Sequence, residues 1–163
     1  MEAPLLDGIH HVKIPVSDLE RSREWYESRL GYRVDVEFTE GGRLMGLALS
    51  HPNGGPDLAL RLDPERSAGF GAFDFFAIGV PSKQAMDDLA DRLTGQGEQH
   101  GGVHVATIGW ILPLLHDPDG HEVRFYTTER HTDLPRGQAI RVESARESAE
   151  QRERELAAQS PEA

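Results

Sequence analysis

The chain has 163 residues, a net charge of −11 from 17 Lys+Arg against 28 Asp+Glu, 37% hydrophobic residues and no Cys. That length suits one compact core-bearing domain, and the negative excess argues against a generic nucleic-acid binder, which needs a basic face. Without Cys there are no disulfides or Cys-type zinc sites, and no apolar run or leader-like start (MEAPLLDG) points to a membrane or export, so a cytoplasmic setting is expected.

Residues 9–16 (IHHVKIPV) alternate: His10, Val12, Ile14 and Val16 point one way, Ile9, His11, Lys13 and Pro15 the other. This predicts a strand with one apolar and one mixed face. Ser17 followed by Glu20 has the spacing of a capping box. Leu19, Tyr26 and Leu30 recur near helical spacing, and Gly31 makes a fitting stop. Strands are then predicted from Tyr32 to Phe38, at about 43–50 and at 57–62, separated by Gly41-Gly42 and by Pro52-Asn53-Gly54-Gly55-Pro56.

The order then repeats. Phe73 to Val80 reads as a strand, and Ser82 caps a helix with Met86, Leu89, Ala90 and Leu93 on one face, closing near Gly95 and Gly97. Strands follow at about 103–107, 109–115 and 121–127, the last two joined by the turn Asp117-Pro118-Asp119-Gly120. Val16 matches Val80 and Gly31 matches Gly95, both at an offset of 64, so the chain is read as a duplication. The predicted fold is α+β: a βαβββ module over residues 1–66, a second over 67–130, and a charged, partly helical tail over 131–163.

The opening run I-H-H-V-x-I-P-V-S-D-L-E-R-S-x-x-W-Y-x-x-x-L-G-Y and the closing run D-P-D-G-H-E-V-R-F-Y resemble the vicinal oxygen chelate superfamily. That superfamily includes glyoxalase I, extradiol dioxygenases, fosfomycin-resistance enzymes and bleomycin-resistance proteins. The resemblance covers about residues 8–128. It implies two modules curling into an open cup, often completed by a second subunit, and hence a homodimer. It does not imply one reaction.

Active members hold a divalent metal, usually with a His from the first strand and a Glu from the fourth strand of each module. Transferred to this chain, the first position is His11 and its counterpart 64 residues on is Phe75. The closing-strand position, four residues after Gly120, is Arg124. The remaining position is Arg61, or Ala59 if the register differs by two. An Arg has no lone pair to give a metal and repels cations, so no cofactor is predicted and a divalent metal is disfavoured.

The candidate ligand-binding residues are His11, Lys13, Arg61, Phe73, Phe75, Trp110, Glu122, Arg124 and Tyr126, because strand alternation puts Lys13 beside His11, and Glu122 and Tyr126 beside Arg124. Arg61 and Arg124 have the alternative of pairing with Asp63 or Glu122. His10 is expected to face the helix, and His116 and His121 to be solvated. His100 and His104 flank a Gly-Gly turn rather than sharing a helical face.

Two functions are drawn from this. The first is a metal-free binder of a small aromatic, oxygen-rich or anionic molecule, akin to the drug-binding branch. The alternative is a lyase, isomerase or oxygenase acting on a carbonyl or catechol, with His11, Glu122 and Arg124 as catalytic candidates and an atypical metal set such as His11 with Glu122 still open. A structural or regulatory protein with an occluded cup is the third possibility.

Overall fold

The computed structural model describes residues 4–133; the expected helical tail beyond Asp133 lies outside them. Within them the chain divides into two compact units. One runs up to Phe73 and includes His116–His121, and the other comprises Asp74–Leu115 with Glu122 onward.

The first unit contains β1 (His11–Val16), α1 (Leu19–Trp25), β2 (Arg33–Glu40), β3 (Arg43–Ser50), β4 (Asp57–Leu62) and a short α2 (Pro64–Phe70). Its sheet has the order β1-β4-β3-β2, with β1 and β4 parallel and the other pairs antiparallel. Period-two alternation buries Ile14, Val16, Leu47, Leu49, Leu58 and Leu60 on one face. Helix α1 adds Leu19, Ser22 and Trp25 to the same core, and a π-helical turn at Tyr26–Leu30 brings in Tyr26. Gly31 ends this turn in the left-handed region at φ 81°, which a side chain would resist.

The N-terminal cap differs from expectation. Asp18, not Ser17, caps α1 by accepting from Arg21 N–H at 3.0 Å. Ser17 is drawn away because its backbone N–H and hydroxyl both donate to Asp119. Helix α2, absent from the expectation, follows from Asp63-Pro64: Asp63 accepts from Arg66 N–H at 3.0 Å, and Pro64 sits where a helix needs no N–H.

The turn joining the last two strands belongs to this first unit and is buried in it. Asp117 accepts from Tyr26 Oη at 3.1 Å and from the N–H groups of Asp119 and His121, each at 3.0 Å. His121 donates through Nε2 to the Pro15 carbonyl at 2.8 Å and is buried, whereas His116 is exposed. The expectation of a solvated His121 therefore fails, because its flanking turn packs inward rather than into solvent.

The second unit contains β5 (Ala77–Val80), α3 (Lys83–Gly95), β6 (His104–Val105), β7 (Trp110–His116) and β8 (Glu122–Thr127), in the sheet order β5-β8-β7-β6. This repeats the first sheet strand for strand. The caps repeat too: Ser82 stands 64 residues after Asp18 and accepts from Ala85 N–H at 3.2 Å. Met86, Leu93, Leu112, Leu115, Val123 and Phe125 form the core. Leu112 and Leu115 are three apart yet both buried, because Leu114 takes φ 64° and its side chain turns outward.

Strand β5 begins later than expected, and Phe73 and Phe75 precede it in irregular chain. Strand β6 shrinks to two residues. Among the described residues, no helix is long and apolar enough to cross a membrane.

Candidate functional site

The first sheet turns its Leu-rich face to α1 and leaves the other face to alternate residues. Where those alternates are small, the sheet is hollow. Gly46, Ala48 and Ala59 form this floor, with Ala48 opposite Ala59 and Gly46 opposite Arg61 in register. The resulting cavity holds about 400 Å³, within the range of small-molecule sites. Phe38 of β2 stands opposite Gly46 and forms one wall, half exposed. A methyl group on Gly46 would come within 3.1 Å of the Leu60 carbonyl, so this position is closely fitted.

His11, Lys13 and Arg61, all expected in a site, line this cavity together. The reading of the sequence missed four further liners: His10, Phe38, Glu40 and Asp57. His10 does not face the helix. It is exposed beside His11, their Nδ1 atoms 3.0 Å apart, so one donates and the other accepts. The i, i+2 relation of Phe38 to Glu40 was a legible signal for two of the four.

Arg61 pairs with Glu40 at 2.7 Å, not with Asp63. The hydrogen bond from Arg61 holds the Glu40 carboxyl below its ordinary value, and Glu40 in turn raises Arg61. Lys13 has no ion pair or hydrogen bond to any described residue. The cavity thus holds balanced charges rather than the cluster of cations expected.

In the second unit, Glu122 and Arg124 form a separate cluster. Glu122 Oε1 accepts from Arg124 Nε at 3.1 Å, from Arg124 Nη2 at 2.9 Å and from Leu114 N–H at 3.1 Å. Asp74 takes the other side of the guanidinium at 2.9 Å. Partial burial works against the Arg124 charge, but Glu122 and Asp74 outweigh it and raise its pKa. Tyr126 is exposed on the same strand, Phe73 is exposed and Phe75 half-buried.

Trp110 stands edge-on to His131 with ring centroids 5.2 Å apart. His100 accepts from Gly102 N–H at 3.1 Å and donates through Nε2 to the Ala90 carbonyl at 3.2 Å, so it ties the end of α3. His104 donates to the Gly101 carbonyl at 2.6 Å.

Register settles the open ligand position. Lys13 pairs with Ala59, and Ala77, 64 residues after Lys13, pairs with Arg124. Ala59 is therefore the counterpart of Arg124, and Arg61 is the counterpart of Tyr126. The positions at which the superfamily places metal ligands carry His11 and Ala59 in the first unit, and Phe75 and Arg124 in the second. One imidazole, two hydrocarbon side chains and a cation do not fit a divalent metal. Among the described residues there is no group of three or more metal-ligating side chains.

No curated protein matches the chain. Among solved structures, a glyoxylase/bleomycin resistance protein/dioxygenase domain from Frankia sp. EAN1pec is 24% identical, with a TM-score of 0.62 over 77% of this chain and 100% of that one. TnmS3, an antibiotic binding protein from Streptomyces sp. CB03234, is 17% identical, with a TM-score of 0.63 over 78% and 100%. The fosfomycin resistance protein FosX from Listeria monocytogenes, complexed with Mn(II), is 14% identical, with a TM-score of 0.59 over 75% and 90%. These likenesses carry the fold. Residues 8–125 match a family in their own right, and the chain belongs to the Glyoxalase/Bleomycin resistance protein/Dioxygenase superfamily.

Proposed function

We propose that this protein binds a small amphipathic molecule, aromatic or oxygen-rich, on the hollow face of its first sheet, and that it does so without a metal. The observation that carries this reading is the floor of Gly46, Ala48 and Ala59 with Phe38 at its side and charged groups at its rim. An apolar floor removes hydrocarbon surface from water, while a few polar groups orient the ligand. The antibiotic-binding neighbour shows that this fold serves such a role. Sequestration needs no chemistry: a molecule held in the cavity is withdrawn from solution. Metal independence follows from Ala59, Phe75 and Arg124 at three of the four ligand positions. A homodimer and the role of the second-unit cluster remain part of the same proposal.

The test is a thermal-shift screen of aromatic acids, phenols and polycyclic antibiotics, run with and without chelator. A ligand that raises the melting temperature equally in both arms supports the reading. Stoichiometric metal retained through chelation, or metal-dependent turnover of a carbonyl or catechol, overturns it in favour of an enzyme.

A further inference from the structure

We propose, resting on the binding reading above, that Lys13 is the charge anchor of the cavity and that the ligand carries a single acidic oxygen group, a carboxylate or phenolate, on an apolar body. The charged or titratable groups facing the cavity are His10, His11, Lys13, Glu40, Asp57 and Arg61. Two are cations, and they are not equivalent. Arg61 already donates to Glu40 at 2.7 Å, so an incoming anion at Arg61 must displace or crowd a carboxylate. Lys13 has no such partner among the described residues. It stands opposite Ala59 at the edge of the small-residue floor, where an acidic group on a bound ring gains a charge-assisted hydrogen bond without breaking one.

The anions set the limit on ligand charge. Glu40 stands at one end of the floor, and Asp57, opposite His11, at the other. A second acidic group on the ligand would meet one of them with only Arg61, already committed, to offset the repulsion. A monoanion satisfies Lys13 and avoids both. Arg61 is then a rim residue held in place by Glu40, not a recognition group, although its charge makes it the more conspicuous candidate in the sequence.

The probes are 2-naphthoate, its neutral analogue 2-naphthamide, and the dianion naphthalene-2,6-dicarboxylate, titrated by fluorescence into the full chain. The wild type is expected to bind 2-naphthoate about tenfold more tightly than the amide, the range of one hydrogen bond to a charged group. The dianion is expected to bind no better than the monoanion. Lys13→Met should remove the preference for the acid and keep the affinity for the amide. Lys13→Glu should shift the preference to the cation 2-naphthylmethylamine. Arg61→Met should leave the acid-to-amide ratio within about twofold.

Equal binding of acid and amide by the wild type overturns the role of Lys13 while leaving the binding reading intact. Loss of the preference in Arg61→Met, with retention in Lys13→Met, also overturns it. If neither acid nor amide binds, both readings fail.

Discussion

One carboxylate oxygen of Glu122 holds two nitrogens of Arg124, at 3.1 and 2.9 Å, and the backbone N–H of Leu114 at 3.1 Å. Leu114 is the described non-glycine residue with positive φ, so the same carboxylate both pins a guanidinium and satisfies an irregular strand. Glu122 is nearly buried, at 7% side-chain exposure. Removing it leaves the Leu114 amide and part of a cation without an acceptor. Glu122→Ala is expected to cost about 2–4 kcal/mol, and Glu122→Gln, which keeps an acceptor, about half that. Urea denaturation measures both. The double variant with Arg124→Leu should be less destabilised than the sum of the single changes. An additive result would dismiss Glu122 as the group that positions Arg124.

Asp119 and Asp117 sit two residues apart in the buried turn and titrate in opposite directions. Burial would raise Asp119, but hydrogen bonds from Ser17 outweigh it and the net value is lowered. Its stabilisation is therefore complete above the ordinary aspartate value and lost as pH falls through the lowered folded value. Asp119→Asn should cost about 1–3 kcal/mol near neutrality, with the gap to wild type closing toward about pH 3. Asp117 is raised, chiefly by burial. Its linked stabilisation is complete below the ordinary value and fades as pH rises through the raised one, so Asp117→Asn should cost more in acid than at neutrality. Denaturant titrations at the two pH values check the signs; parallel profiles for both variants would contradict them.

Much of the fold was legible because it rests on local chemistry repeated at a fixed offset. Capping side chains, Asp18 and Ser82, recur 64 residues apart, and the strand alternation around Ile14 and Leu60 reads directly as core against cavity. The elements misread are those where the local signal was right but incomplete. Phe73–Phe76 has strand composition, yet no neighbouring strand pairs with it, so composition alone overextended β5. Ser17 has capping chemistry, but Asp119, 102 residues away, claims its hydroxyl. The site was half legible for the same reason. His11 and Lys13 follow from alternation, whereas the Arg61–Glu40 pair spans β4 to β2, and no local spacing encodes it. The choice between Ala59 and Arg61 needed the parallel register of β1 and β4.

That register also governs metal binding. With Ala59 and Phe75 offering no donor and Arg124 offering a charge of the wrong sign, added Ni²⁺, Co²⁺, Mn²⁺ or Zn²⁺ should not bind stoichiometrically or raise the melting temperature. Elemental analysis of chelator-free protein, together with thermal shift, measures this. If one tightly held ion per chain is found, and it is lost in His11→Ala, then an atypical ligand set exists and the metal-free reading is wrong.

Adjacent residues on β3 should separate folding from binding. Leu47 is 1% exposed and faces the core, while Ala48 faces the cavity opposite Ala59. Leu47→Ala removes buried hydrocarbon and should cost about 2–5 kcal/mol, with the affinity of the remaining folded protein for 2-naphthoate nearly intact. Ala48→Trp places an indole in open space, so its urea midpoint should move by no more than about 1 kcal/mol equivalent. That indole occupies the floor where a ligand ring would lie, and 2-naphthoate binding should fall at least tenfold. The contrast turns on strand alternation alone: one residue step moves a substitution from the core to the site. If Ala48→Trp binds the probe as the wild type does, the ligand lies elsewhere on the protein.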